Sequence, residues 1–143
     1  MEKRSVIEEL HRSQESDKEH SCLAADKMKD IARDCGVPQS QVYGVATFYS
    51  MFSSKPRGRH IIRICGNIAC HIGGAEAVVA ALKSELGVEI GGTSADGEFT
   101  LEESNCLGMC ASAPSMMIDG KPYGSLTAGG VKEILRRVKQ GKE

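Results

Sequence analysis

The segment His60-Ile-Ile-Arg-Ile-Cys65-Gly-Asn-Ile-Ala-Cys70-His-Ile-Gly-Gly74-Ala75 joins two kinds of periodicity. His60 to Cys65 is a short apolar run rich in β-branched residues, which reads as a buried strand ending on a cysteine. Past the glycines the spacing changes. Ala75, Val78, Val79, Leu82 and Leu86 share one helical face, and Gly87 is placed to stop that helix. A strand feeding through a loop into an amphipathic helix opens a β-α unit, so this half of the chain is expected to be α/β.

Reading outward toward the C-terminus, Val88-Glu-Ile90 and Glu98-Phe-Thr-Leu101 are strand candidates, the second announced by Asp96-Gly97. Ser115 to Ile118 and Tyr123 to Leu126 flank Asp119-Gly120, a hairpin signal. Val131, Ile134, Leu135 and Val138 form a last amphipathic helix that Thr127 can cap, although Gly129-Gly130 makes a weak first turn. The order β-α-β, then β-β-α, suits a small α/β sandwich. Toward the N-terminus the pattern is helical. Ser5-Val-Ile-Glu8 has the capping-box form, with Val6, Ile7 and Leu10 as a short stripe, and Ser13 to His20 reads as a loop or frayed end. Ser21 can cap a second helix carrying Ala24, Met28, Ile31 and Cys35 on one face, which Gly36 ends. Pro38 opens a third segment, Gln39 to Phe52. Lys55-Pro-Arg-Gly58 breaks the pattern, giving an expected division into residues 1–58 and 59–143.

The composition narrows the function classes. In 143 residues, 41% hydrophobic and 26% charged, the balance is that of a globular protein. The longest apolar stretch, Ala75 to Leu82, carries Glu76 and is far short of the ~20 residues a membrane span needs. A net charge of −1 offers no broad basic field for nucleic acid, and the spots at Lys55–Arg59 and Lys132–Lys142 read as solvated surface. The first residues have neither signal-peptide nor transit-peptide character, so a cytoplasmic address is expected, where structural disulfides are rare. Six cysteines in such a setting call for a metal, a cluster or redox chemistry.

Two pairs stand out, Cys65-x4-Cys70 and Cys106-x3-Cys110, each just after a strand candidate. Both therefore lie on loops that can meet at one end of a sheet. Four thiolates on two loops are what a [2Fe–2S] cluster requires, two sulfurs for each iron. Gly66, Gly73, Gly74, Gly108, Ala69, Ala111 and Ala113 make small surroundings in which backbone N–H groups can aim at the sulfurs. Four thiolates also suit structural zinc, although C-x2-C knuckles are the usual form. A pair of disulfides or a redox dithiol is a third reading, without the C-x-x-C of thioredoxin-type sites. Cys22 and Cys35 fall on helical positions without partner spacing and are expected to be buried small apolar residues. His60 and His71 are expected at the surface or at element ends, the paired Cys-His motifs of a Rieske centre being absent. Gly73-Gly74 lacks the G-x-G-x-x-G order of a dinucleotide site, and no catalytic triad or acid–base pair is evident.

Residues 41–139 closely resemble the thioredoxin-like [2Fe–2S] ferredoxin family. The matching motifs are Val45-Ala-Thr-Phe-Tyr49, Cys65-x4-Cys70-His71-x-x-Gly74-Ala75, Asp96-Gly97-x-Phe99-Thr100-Leu101 and Cys106-Leu-Gly-x-Cys110-x-x-Ala113-Pro114. The resemblance implies a thioredoxin-like α/β sandwich preceded by a small N-terminal helical bundle. It implies one [2Fe–2S] cluster on Cys65, Cys70, Cys106 and Cys110. It further implies a role in electron transfer, as one subunit of an NAD(H)-linked complex of the NADH dehydrogenase, bifurcating hydrogenase or formate dehydrogenase type. FMN, NAD(H) and [4Fe–4S] clusters then belong to a flavoprotein and other partner subunits. Apart from the resemblance, residues 1–58 crowd Val42, Val45, Phe48, Tyr49, Met51 and Phe52 into one segment and are expected to serve partner docking, with Tyr49 and Phe52 as anchors. A free-standing ferredoxin of the same fold is the alternative. The chain departs from the family pattern in two places. Gly66-Asn67-Ile68 puts no hydroxyl between the first two ligands, where a Thr or Ser is frequent, and Gly129-Gly130 replaces the usual Pro-Glu of the last helix.

Overall fold

The computed structural model describes residues 5–17 and 22–141, which form two compact units meeting in sequence between Arg59 and His60. In the first unit three helices surround one core: α1 (Val6–Ser16), α2 (Ala25–Cys35) and α3 (Gln39–Phe48). Leu10, Leu23, Met28, Ile31, Cys35, Val42, Ala46 and Phe52 are buried together. Gly36 ends α2 in the left-handed conformation (φ 65°), and its N–H reaches the carbonyls of Ala32 and Arg33. Pro38 stands as the N-cap of α3.

Several local expectations are corrected here. Ser5 makes no side-chain cap bond, so the capping box does not form, and α1 continues through Ser13 to Ser16. The N-cap of α2 is Ala24, an exposed residue, while Ser21 lies outside the described residues. Cys22 precedes the helix, buried as expected but not helical. Phe52 is 7% exposed and packs with the core, so it is no surface anchor. The apolar surface of this unit lies instead at Tyr43, Phe48, Tyr49 and Met51, with Phe48 80% exposed and its ring edge-on to Tyr49 at 5.0 Å.

The second unit is a mixed four-stranded sheet in the order β2-β1-β3-β4. Its elements run β1 (His60–Cys65), α4 (Ile68–Ile72), α5 (Ala75–Leu86), β2 (Phe99–Ser104), a 3-10 turn at Cys110–Ser112, β3 (Met116–Ile118), β4 (Lys121–Tyr123) and α6 (Ala128–Lys139). β1 and β2 are parallel, in register from His60–Phe99 to Cys65–Ser104. β1 and β3 are antiparallel, as are β3 and β4. The alternation of β1 sends Ile62 and Ile64 into the core with Phe99, Leu101, Met116 and Ile118. Val78 and Leu82 of α5, with Val131, Leu135 and Val138 of α6, cover that layer.

The Asp119-Gly120 hairpin forms, both residues with positive φ (50° and 87°) as a type I′ turn requires. Thr127 caps α6 by accepting the Gly130 N–H at 3.1 Å. The strand expected at Val88–Ile90 is absent: the chain turns there, and the segment that follows meets β2 through an isolated bridge, Thr93 to Thr100, and a few backbone hydrogen bonds. Gly91, with φ 86°, donates to the Leu101 carbonyl, so the apolar Val-Glu-Ile alternation is spent on a turn beside the sheet. The last strand spans Lys121–Tyr123, earlier than the Tyr123–Leu126 the pattern suggested. As the outer strand it is three residues long and contains Pro122. No described helix is long and apolar enough to cross a membrane.

Candidate metal centre

All four paired cysteines lie in the second unit, at the end of the sheet where β1 and β2 finish. Cys65 is the last residue of β1, Cys70 sits in the short α4 that follows, Cys106 comes two residues after β2, and Cys110 opens the 3-10 turn. The parallel register explains the convergence, because Cys65 stands beside Ser104 and both following loops leave the same edge. The Gly66 N–H bonds the Ser104 carbonyl at 3.0 Å and fastens the two loops at their roots.

The two pairs differ in exposure. Cys65 and Cys70 are each 1% exposed and pack with Ala75, Leu107 and Ala113, whereas Cys106 and Cys110 are exposed. The Cys106 and Cys110 sulfurs stand 3.8 Å apart. Two thiolates on one tetrahedral ion at ~2.3 Å would stand ~3.8 Å apart, so this pair already has the spread that a shared iron asks for. It is far from the ~2.05 Å of a disulfide, and among the described residues no cysteine is disulfide-bonded. Among the described residues no three His, Cys, Asp or Glu donors gather around one point, while a [2Fe–2S] cluster asks for sulfurs in twos.

Electrostatics tie the pairs to one another. Burial opposes ionisation of Cys65 and is the largest influence on it. The backbone N–H groups of Asn67 and Leu107, with the side chains of Cys70 and Ser115, nonetheless pull its pKa below the ordinary thiol value. Leu107 belongs to the second cysteine loop, so one loop donates to a sulfur of the other. The Cys110 thiol is pushed up, first by its hydrogen bond with Cys106 and the charge there, then by burial and by the charges of Cys70 and Cys65. The Gly108 N–H points at the Cys106 sulfur (3.4 Å), at a φ of 74° that favours glycine. Thiolates that repel one another and attract N–H donors form a donor set suited to thiophilic metal ions such as iron or zinc.

Around this site, His71 is exposed and faces Glu76 (Nε2 to Oε1 3.7 Å), and His60 holds Asp119 at the opposite end of β1 (2.6 Å). Both thus occupy the peripheral positions expected. A cavity of about 300 Å³ beside Cys65 is lined by Gly66, His71, Glu76, Lys83 and Glu103 among others. Sequence reasoning missed Ser115. It is 1% exposed, its hydroxyl lies 3.5 Å from the Cys70 sulfur, and its carbonyl accepts the Cys65 N–H at 3.1 Å. Its place directly after Ala113-Pro114 in the last cysteine motif was the available signal.

The family model described as thioredoxin-like [2Fe-2S] ferredoxin matches residues 1–139. A subunit of the NADH-quinone oxidoreductase of Pseudomonas aeruginosa is 48% identical over 105 residues, 73% of this chain and 63% of that relative. The corresponding NADH-quinone oxidoreductase subunit of Escherichia coli K12 is 46% identical over 109 residues, 76% of this chain and 66% of its own length. The HndA subunit of the NADP-reducing hydrogenase of Solidesulfovibrio fructosivorans is 41% identical over 113 residues, 79% of this chain and 66% of that relative. The chain thus spans somewhat under two thirds of the length of these relatives. Among solved structures, an NAD+-reducing [NiFe]-hydrogenase superposes with a TM-score of 0.79 at 20% identity, over 95% of this chain and 23% of that one, a likeness of fold.

Proposed function

The chain belongs to the thioredoxin-like [2Fe–2S] ferredoxin family, and from that premise we propose that it holds one [2Fe–2S] cluster on Cys65, Cys70, Cys106 and Cys110 and works as a single-electron carrier within an NAD(H)-linked oxidoreductase complex. The observation that supports the ligand set is the placement of all four cysteines at the end of the sheet where β1 and β2 finish, with one pair already 3.8 Å apart. The names of the relatives, subunits of an NADH-quinone oxidoreductase and of a hydrogenase, support the kind of complex.

When bound, such a cluster supplies a one-electron couple at constant protonation. The chain's own residues do the rest. Cys65 and Cys70 would hold the cluster from the core side, where Ala75, Leu107 and Ala113 pack around them and exclude water. Cys106 and Cys110 are exposed and would hold the group on the side open to a partner. The N–H groups of Asn67, Leu107 and Gly108 offset the negative charge gathered on four sulfurs. Nothing in this division of labour needs a nicotinamide site on the chain. We assign NAD(H), FMN and [4Fe–4S] clusters to a flavoprotein partner and its neighbours, in a cytoplasmic setting that keeps thiols reduced. We assign docking of that partner to the helical unit, on the exposed rings of Phe48 and Tyr49.

Purified anaerobically, the chain is expected to contain two irons and two acid-labile sulfides and to give an EPR signal only after reduction. Cys106→Ala should abolish or cripple cluster assembly. NADH should reduce the cluster only when the flavoprotein is present, whereas dithionite suffices for the chain alone. Full iron and an unchanged spectrum in Cys106→Ala would remove that cysteine from the ligand set.

A further inference from the structure

The loop between Cys65 and Cys70 carries Gly66, Asn67 and Ile68 and therefore no hydroxyl. A hydroxyl nevertheless reaches the Cys70 sulfur from elsewhere. Ser115 lies forty-five residues beyond Cys70, is 1% exposed, and places its Oγ 3.5 Å from the Cys70 sulfur. Its backbone carbonyl accepts the Cys65 N–H at 3.1 Å, and Met116 next to it is fully buried in the sheet core. The side chain is held from both ends and has no water to turn to. Ligand thiolates have no proton to give, so in the loaded protein Ser115 must be the donor.

We propose that Ser115 is a potential-setting residue: its hydroxyl donates to the Cys70 thiolate and holds the reduction potential of the site up. This inference rests on the proposed cluster. Two ferric ions, two sulfides and four thiolates sum to a charge of 2−. One electron from a low-potential donor, such as a reduced flavin or dithionite, takes it to 3− with no bond made or broken, and Ser115 keeps its proton. A donor fixed at a sulfur stabilises the more negative state more strongly, because hydrogen bonds to charged acceptors strengthen with the charge. Burial amplifies the difference, since no water replaces the lost donor when the hydroxyl is removed.

The test uses the full chain with its cluster. Ser115→Thr and Ser115→Val have nearly the same shape and differ in the hydroxyl, while Ser115→Ala removes it without adding bulk. Each is followed by EPR-monitored redox titration. The expected order places wild type and Ser115→Thr together. Ser115→Val and Ser115→Ala should need a lower potential, their reduced-to-oxidised ratio at fixed potential falling about tenfold, or ~59 mV for a one-electron couple. Equal potentials for Thr and Val, or an unshifted Ser115→Ala, would overturn the role of the hydroxyl while leaving the cluster in place. Wild-type protein without two irons and two sulfides would overturn the cluster assignment, and this inference with it.

Discussion

A methyl group at Gly124 should empty the site without touching a cysteine. Gly124 lies between β4 and α6, and a Cβ built there would stand 2.6 Å from the Ser112 Cβ, 3.0 Å from the Ser112 carbonyl oxygen and 3.2 Å from the Met109 Cε. Carbon atoms settle at about 3.5–4.0 Å, so the neighbouring turn must retreat by ~1 Å. The Met109 end can swing aside, but Ser112 cannot. It belongs to the 3-10 turn that Cys110 opens, and its carbonyl accepts the Ser125 N–H at 2.6 Å. The displacement is therefore handed to Cys110, whose sulfur is set 3.8 Å from that of Cys106. Cofactor sites tolerate roughly 0.5 Å of such error. Gly124→Ala should lower iron and sulfide content several-fold after anaerobic reconstitution, while urea unfolding of the cluster-free chain shows a loss of about 1–3 kcal/mol, the usual cost of overpacking. Gly129→Ala is the control: nothing lies within 4 Å of its added Cβ, and alanine in the first turn of α6 should stabilise by up to ~1 kcal/mol. Full cluster content with an unaltered visible spectrum in Gly124→Ala would refute the claim that the 3-10 turn fixes the sulfur spacing.

The double variant Cys22→Ala, Cys35→Ala should keep all its iron and lose only ~1–2 kcal/mol in urea titration, since both side chains serve as small buried fillers of the helical unit; iron loss would show that the wrong four cysteines were assigned. Asp96 is held well below the ordinary carboxylate range, foremost by the Lys139 ammonium, then by the Ser94 hydroxyl and the Glu98 N–H. Its folded pKa lies below its unfolded one, so the stability it adds is complete above about pH 5 and fades as pH falls toward the folded value. Asp96→Asn should therefore lower Tm at pH 7 and converge with wild type in acid, and a difference that stays constant with pH would exclude this linkage. Replacing Phe48 and Tyr49 by Ala should leave the cluster spectrum unchanged and weaken co-purification with the flavin-bearing partner at least several-fold, whereas undiminished association would move docking off the helical unit.

What the sequence made legible was carried by local signals with a single physical meaning. Asp119-Gly120 reads as a two-residue hairpin because few other residues accept two positive φ angles in succession, and it forms one. The 3.6-residue spacing of Val78, Leu82 and their neighbours located α5, and the cysteine spacing located both cysteine loops. The errors arose where local pattern met tertiary context. Val88-Glu-Ile90 alternates like a strand, but the following Gly91-Gly92 folds the chain against Leu101 before a ladder can develop. Ser5-x-x-Glu8 has the letters of a capping box without the bond. Phe52 resembled an anchor because its sequence neighbours are exposed, yet it packs at 4.8 Å from the His11 ring inside the helical unit. Ser115 escaped notice because its hydroxyl meets Cys70 across the fold, a juxtaposition that no window of sequence contains.

The edges of the sheet bear on how this protein keeps its own company. The outer strand β4 offers three residues, one of them Pro122, which has no N–H to give to an incoming strand. At the other margin β2 is shielded along part of its length by the segment 91–93, whose N–H and carbonyl groups already engage Leu101 and whose Thr93 bridges Thr100. Copies of the sheet that meet at high concentration find little free backbone along which to zip together, which guards against fibrous self-association. Recognition is left to side chains, whose shape and charge distinguish one neighbour from another in a way that a row of amides does not.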